Sequence, residues 1–238
     1  GKGFTGDRFP LLIKILDARD DLSIQVHPPE NLSRKLGGEP KTEMWYIADC
    51  DPGAKLYIGL RDKCTRESFQ QSLSDGTVEE QVHAVRPEPG ESIFIPSGRL
   101  HAIGAGFLIY EIQQNSDTTY RVFDWNRVGL NGAPRDLHIE ESMASIDFND
   151  FEPRMDQADG ESLASCEYFV VQRHKLSKLE EITNTNDSFS IITVISGKIS
   201  SREGRLFKTG DFLILPRNAS PLTVEGDCQI LRTTLPGA

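Results

Sequence analysis

The chain lacks any run of about 18 apolar residues, the length a membrane-spanning helix needs, so no such helix is expected. Cysteine is scarce. Cys50, Cys64, Cys166 and Cys228 form no Cys-x-x-Cys pair, which sets aside a dense disulfide framework and reads as reduced thiols in a cytoplasmic protein. Positive charge is in deficit: 26 Lys and Arg stand against 36 Asp and Glu, giving a net charge of -10 and a pI near 5.0. That balance argues against nucleic acid or an anionic membrane as partner. It leaves room for a small phosphorylated ligand, because a few local Arg or Lys side chains can hold one phosphate. Nothing at Gly1-Lys2-Gly3-Phe4 resembles a signal peptide. The chain opens without Met, so further residues are expected before Gly1.

Turn residues are plentiful. Twenty Gly and thirteen Pro interrupt 238 residues, of which 37% are hydrophobic, as expected of many short strands rather than long helices. Strand-like runs fall at 9–16, 22–27, 41–47, 55–60, 93–95, 103–112 and 118–125. Short helices are expected at 31–36, stopped by Gly37-Gly38, from Thr65 to a Gly76 stop, and at 137–146. Asn131-Gly132 marks a turn. His83 is read as a surface residue, and His138 as a residue near a helix cap without a ligand partner.

One stretch carries a strand, a turn and a histidine in fixed order: Gly90-Glu91-Ser92-Ile93-Phe94-Ile95-Pro96-Ser97-Gly98-Arg99-Leu100-His101. Pro96 cannot donate to a central ladder and ends the strand, and Ser97-Gly98 reverses the chain. A second copy follows at Gly210-Asp211-Phe212-Leu213-Ile214-Leu215-Pro216, again Gly, acid, four residues, Pro. It lacks the histidine, since Arg217-Asn218-Ala219-Ser220-Pro221 follows. An internal repeat is therefore expected. The reading is an all-β chain of two jelly-roll domains, 1–150 and 165–238, joined by an acidic linker at 151–164, with the metal chemistry confined to the first.

That chemistry begins in the alternating strand Leu22-Ser23-Ile24-Gln25-Val26-His27. Leu22, Ile24 and Val26 share one face; Ser23, Gln25 and His27 share the other. Pro28 holds His27 extended. Lys41, Glu43 and Trp45 share a face of a later strand. A polar row turned into a small barrel is costly unless it binds something. His27, Glu43 and His101 then form a two-histidine, one-carboxylate set that suits Zn²⁺, Fe²⁺ or Mn²⁺, and Gln25 can add an amide oxygen. Taken singly, each residue has a plainer explanation, such as a half-exposed strand or a satisfied core histidine.

Gly90-Glu91…Pro96-x-Gly98-x-x-His101 resembles the second cupin motif. Ser23-x-Gln25-x-His27-Pro28, Lys41-x-Glu43 and Glu111-Ile-Gln-Gln-Asn-Ser116-Asp117-x-Thr-x-Arg121 resemble the type I phosphomannose isomerases over about 9–146. The resemblance implies a zinc enzyme, with one Zn²⁺ per chain, that interconverts mannose 6-phosphate and fructose 6-phosphate through an enediol. It puts the metal ligands on Gln25, His27, Glu43 and His101, and the catalytic arginine on Arg121. Lys41 and Glu111 match positions near the reacting carbons, either of which could be the base, and Ser23 and Arg127 match positions suited to the phosphate. Two readings compete: a non-heme iron cupin oxygenase, and a non-catalytic sugar-phosphate-binding cupin. The sequence sets no oligomeric state.

Overall fold

A computed structural model describes residues 7–128, 132–184 and 188–237. Asn131, half of the expected Asn131-Gly132 turn, lies outside the described residues. The chain divides into two compact units, Leu11–Asp156 and a second formed by residues 7–10 with 157–237. No described helix is long and apolar enough to cross a membrane.

Along the first unit run β1 (Leu11–Ala18), β2 (Ile24–Val26), α1 (Glu30–Ser33), β3 (Glu43–Cys50), β4 (Leu56–Leu60), α2 (Arg66–Asp75), a 3-10 turn (Val78–Gln81), β5 (Val82–Val85), β6 (Ser92–Ile95), β7 (His101–Ile103), β8 (Phe107–Gln114), β9 (Tyr120–Phe123) and α3 (Ile139–Ser145). They form two antiparallel sheets, ordered β1-β8-β3-β6 and β5-β4-β7-β2-β9. Period-2 alternation decides what lies between them. Trp45, Ile47, Ile93 and Ile109 of the first sheet meet Leu56, Ile58 and Ile103 of the second. Each fully buried aliphatic side chain contributes about 1.5–3 kcal/mol. The outer face of the second sheet, with Ile24, Val26, Tyr57, Ala102 and Val122, is covered by Phe69 of α2, Val78 and Ile146. α2 itself forms where the sequence predicts it: Thr65 and Ser68 make a capping box, and Gly76 ends the helix at φ +72°.

The second unit repeats the plan with β10 (Ser162–Ser165), β11 (Val170–Leu176), β12 (Glu181–Ile182), β13 (Ser190–Ser196), β14 (Lys198–Ser201), β15 (Leu206–Lys208), β16 (Phe212–Leu215), β17 (Leu222–Val224) and β18 (Cys228–Thr234). Its sheets are ordered β10-β11-β18-β13-β16 and β12-β17-β14-β15. Ile192, Val194, Ile199, Val224 and Ile230 fill its interior. The architecture is all-β, two cupin-type jelly rolls with a few short helices.

Three details differ from the sequence reading. The expected strand 103–112 is two strands on different sheets, because the chain turns at Gly104-Ala105-Gly106. A Cβ on Gly104 would collide with the Lys55 carbonyl, and Gly106 sits at φ +89°. Leu22 is 38% exposed rather than packed with Ile24 and Val26. The stretch expected as a linker ends inside β10, whose partner is β11, and residues 7–10 group with the second unit, where Phe9 stacks on Phe189 at 4.9 Å.

Candidate metal and active site

The inward faces of the first unit change character along their length. On β8, Ile109 is followed two and four residues later by Glu111 and Gln113; on β3, Ile47 and Trp45 are preceded by Glu43. On β7, His101 precedes Ile103 by two. Register carries the polar layer across both sheets: Glu43 pairs with Gln113, Trp45 with Glu111, and Gln25 with both His101 and Arg121. His27, Glu43 and His101 are fully buried there. Burying ionisable groups costs several kcal/mol each unless they are paired or ligated, so this layer opposes stability and calls for a ligand.

His27 Nε2 lies 3.4 Å from Glu43 Oε2, and His101 Nε2 lies 3.7 Å from Glu43 Oε1. Each imidazole is oriented from behind, with Nδ1 on a backbone carbonyl: Thr118 at 2.9 Å for His27 and Arg99 at 2.8 Å for His101. That leaves both Nε2 atoms unprotonated, the arrangement metal-binding histidines use. Among the described residues, His27 Nε2 and Glu43 Oε1 have no hydrogen-bond partner. The possible ligand atoms of the three residues all lie within 4.8 Å of one another. The Gln25 amide sits 3.2 Å from His101 Nε2, and a half-turn of the amide brings its oxygen to the same place. The donor set therefore fits a divalent cation.

Electrostatics agree. Burial holds His27 below the ordinary imidazole range and, helped by His27, takes His101 down to about 3. Both rings are neutral at physiological pH, as a ligand must be. Burial alone would raise Glu43, but the Lys41 ammonium, 3.0 Å away, pulls it below the usual carboxylate range and holds the carboxylate ionised. Glu111 moves the other way: burial and the Glu43 charge raise it above the usual carboxylate range.

The structure brings Gln25, His27, Lys41, Glu43 and His101 into direct contact. Glu111 joins through Trp45, whose Nε1 donates to Glu111 Oε2 at 3.1 Å while its ring meets His101 edge-on at 5.5 Å. Arg121 joins by register beside Gln25; its Nη1 donates to the Asp136 carbonyl at 2.8 Å, and its buried Nε has no partner among the described residues. Ser23 is buried just before β2, outside these contacts. Arg127 is not in the cluster either, for its Nη2 donates to Asp124 Oδ1 at 2.7 Å. Lys14 is the residue the sequence reading passed over. Its Nζ donates to Glu111 Oε1 at 2.8 Å and Gln113 Oε1 at 2.6 Å. The available signal was a lone lysine in the apolar run Leu-Leu-Ile-Lys-Ile-Leu, in step with Leu16 and Ala18, which pack inward.

Two histidines and a carboxylate, tied from behind and set inside a jelly roll, define a metal-binding cupin. A model of the mannose-6-phosphate isomerase cupin domain matches residues 160–235, and one of the phosphomannose isomerase type I catalytic domain matches residues 1–49. Mannose-6-phosphate isomerase ManA of Bacillus subtilis is 37% identical over 93% of this chain and 73% of its own length. A mannose-6-phosphate isomerase of Streptococcus mutans is 34% identical over 94% and 73%. A crystal structure of the mannose 6-phosphate isomerase from Bacillus subtilis superposes with a TM-score of 0.86 at 32% identity, covering 98% of this chain and 77% of that one. The chain belongs to the type I phosphomannose isomerase family.

Proposed function

We propose that the chain interconverts mannose 6-phosphate and fructose 6-phosphate, with one Zn²⁺ held by His27, Glu43, His101 and the Gln25 amide oxygen. The relatives' names supply the substrate. The observation that carries the chemistry is the buried set of Nε2 and carboxylate donors, each histidine fixed by a backbone carbonyl. Imidazole, carboxylate and amide oxygen together suit zinc. When bound, the ion supplies Lewis-acid polarisation of the sugar oxygens.

The chain's own residues account for the proton. Aldose–ketose exchange takes a proton from C2 and returns it to C1 through an enediol, which needs a base tuned toward the working pH. Glu111 has the better support as that base: it is buried, its pKa is raised, and Lys14 and Trp45 hold its two oxygens in place. Lys41 puts a buried cation beside the site, and Arg121 has an Nε unpartnered among the described residues for the developing oxyanion. Ser23 and Arg127 are assigned to the phosphate. The four free cysteines support a cytoplasmic location.

The test is conversion of mannose 6-phosphate to fructose 6-phosphate by zinc-loaded protein, before and after a chelator. Activity lost to the chelator and restored by Zn²⁺ is expected, with one zinc per chain by elemental analysis. A zinc-loaded sample that converts nothing rejects the reading.

A further inference from the structure

We infer that Asp124 is a positioning residue: its carboxylate clasps Arg127 and Arg135, and so fixes the neighbouring segment that orients the Arg121 guanidinium. The inference rests on the role proposed above for Arg121.

Asp124 directly follows β9 and is 6% exposed. Its Oδ1 accepts from Arg127 Nη2 at 2.7 Å, and its Oδ2 from Arg135 Nε at 2.7 Å. Arg135 Nη2 also reaches Oδ1, completing a two-pronged guanidinium–carboxylate pair. The two arginines come from different stretches, one just after β9 and the other on the approach to α3. A single carboxylate therefore ties the two stretches together.

The turn before the clasp is strained. Trp125 and Asn126 both adopt φ +54°, a left-handed conformation that residues other than glycine seldom hold. Trp125 keeps it in place: its Nε1 donates to the Leu22 carbonyl at 2.8 Å, and its ring packs on Tyr57 and Phe123. This turn is what returns Arg127 to Asp124, with the Arg127 N–H donating to the Asp124 carbonyl at 3.0 Å.

The clasp leads to Arg121 in one step along the chain. Arg135 immediately precedes Asp136, whose carbonyl accepts from Arg121 Nη1 at 2.8 Å. Two residues on, the His138 N–H donates to the Arg121 carbonyl at 2.8 Å, and the Arg121 N–H donates to His138 Nδ1 at 3.2 Å. His138, which the sequence left without a partner, thus fastens the backbone of β9 at Arg121. Opening the clasp frees Asp136, and the long Arg121 side chain loses the acceptor that selects its rotamer. Asp124 touches none of the candidate metal ligands; its Arg135 arm acts on the reaction through Arg121, and its Arg127 arm bears on the residue proposed for the phosphate.

The experiment uses the zinc-loaded full chain. Arg135 is half-exposed, so Arg135→Leu removes one arm without hollowing the core, and Asp124→Asn weakens both arms. Arg135→Leu, which leaves Arg127 on Asp124, costs about 10- to 100-fold in kcat with KM little changed, whereas Asp124→Asn raises KM as well. Arg135→Lys, which keeps a charged donor, recovers part of the loss. In Arg121→Ala, adding Arg135→Leu costs nothing further, since the residue it acts through is gone. A kcat for Arg135→Leu within about twofold of the parent, or losses that add to Arg121→Ala, overturns the inference. A crystal structure of Arg135→Leu gives a readout independent of turnover: Arg121 Nη1 is expected beyond hydrogen-bond reach of the Asp136 carbonyl, and an unchanged contact also overturns it. Should the parent show no isomerase activity, the functional reading fails, and that structure alone decides the clasp.

Discussion

In the first unit the strand–turn stretch runs from Gly90 through Pro96 to His101; in the second it runs from Gly210 through Pro216 to Pro221. The backbones form the turn before the strand in the same way. Gly90 and Gly210 sit at φ +95° and +92°. Their N–H groups donate to Ile47 and Val194 at 2.8 and 2.9 Å, and those residues donate back to Glu91 and Asp211. The two acids then cap the preceding turn, Glu91 accepting from the Glu88 N–H and Asp211 from the Lys208 N–H. The side chains part company beyond the turn. Five residues after the proline, the first copy has His101 and the second Pro221. Opposite the residue before the proline, β3 has Glu43 facing Ile95, whereas β13 has Ser190 facing Leu215. Ser190 donates to Asn184 at 2.9 Å and needs nothing else. One scaffold therefore ends in a polar layer that requires a cation, the other in a layer whose Ser190 is satisfied within the chain.

The largest way to break this comparison is to remove a ligand. Glu43→Gln and His101→Ala are each expected to lower kcat/KM by at least about 1000-fold, roughly 4 kcal/mol of transition-state stabilisation, and to empty the zinc site by elemental analysis. Ser190→Ala, at the matching position of the second unit, should leave both quantities at the parent level. If Ser190→Ala lost zinc or activity, the division of labour drawn here would be wrong.

Acid should also separate the units, by a smaller amount. In zinc-free protein, His101 titrates at about 3 when folded, against 6.5 for a free imidazole, so the unfolded chain binds its proton first. Stability is then full above pH 6.5 and falls as the pH drops toward 3. His27 and Glu43 are shifted the same way. Asp124, held down to about 2 by Arg135 despite its burial, adds its share between 3.8 and 2. At about 1.4 kcal/mol per unit, His101 alone removes roughly 2–3 kcal/mol by pH 4.5. In the second unit the lowered carboxyl group among the described residues is Glu203, on the surface. Both tryptophans, Trp45 and Trp125, belong to the first unit, so their fluorescence in urea reads that unit alone. The midpoint should fall between pH 7 and pH 4.5; an unchanged midpoint contradicts the buried, neutral histidines.

How much of this was written in the sequence depends on the range of the interaction. Local rules were readable: the Thr65–Ser68 box and the Gly76 stop mark α2, and alternation puts Gln25 and His27 on one face. The fold class followed from spacing of turns. Long-range partners were not readable. Lys14 reaches Glu111 across 97 residues, and only sheet order brings β1 beside β8. Nor did the sequence show that Asp124 pairs with both Arg127 and Arg135. The carbonyls of Thr118 and Arg99 that orient the histidines carry no signal in residue type, because every residue has one.

The smallest test addresses the turn itself. Two residues after each proline the chain is left-handed, at Gly98 with φ +94° and at Asn218 with φ +57°. Asn tolerates the second value, which lies in the ordinary left-handed well, but the first is beyond it. A Cβ at Gly98 would also stand 3.3 Å from the Ser145 carbonyl. Gly98→Ala is therefore expected to cost about 2 kcal/mol, and Asn218→Ala about 1 kcal/mol. Gly98→Ala should also weaken zinc binding, because Gly98 donates to the His27 carbonyl at 2.9 Å and the same turn delivers His101. Asn218→Gly should be neutral or slightly stabilising, since glycine reaches either conformation without strain. Chemical denaturation of the three variants orders them, and zinc titration shows whether the first turn, unlike the second, transmits its strain to a ligand. Equal costs at 98 and 218, with zinc affinity untouched, would mean that the turn is only a support in both units and that His101 is placed by its ladder with β2 and β4 instead.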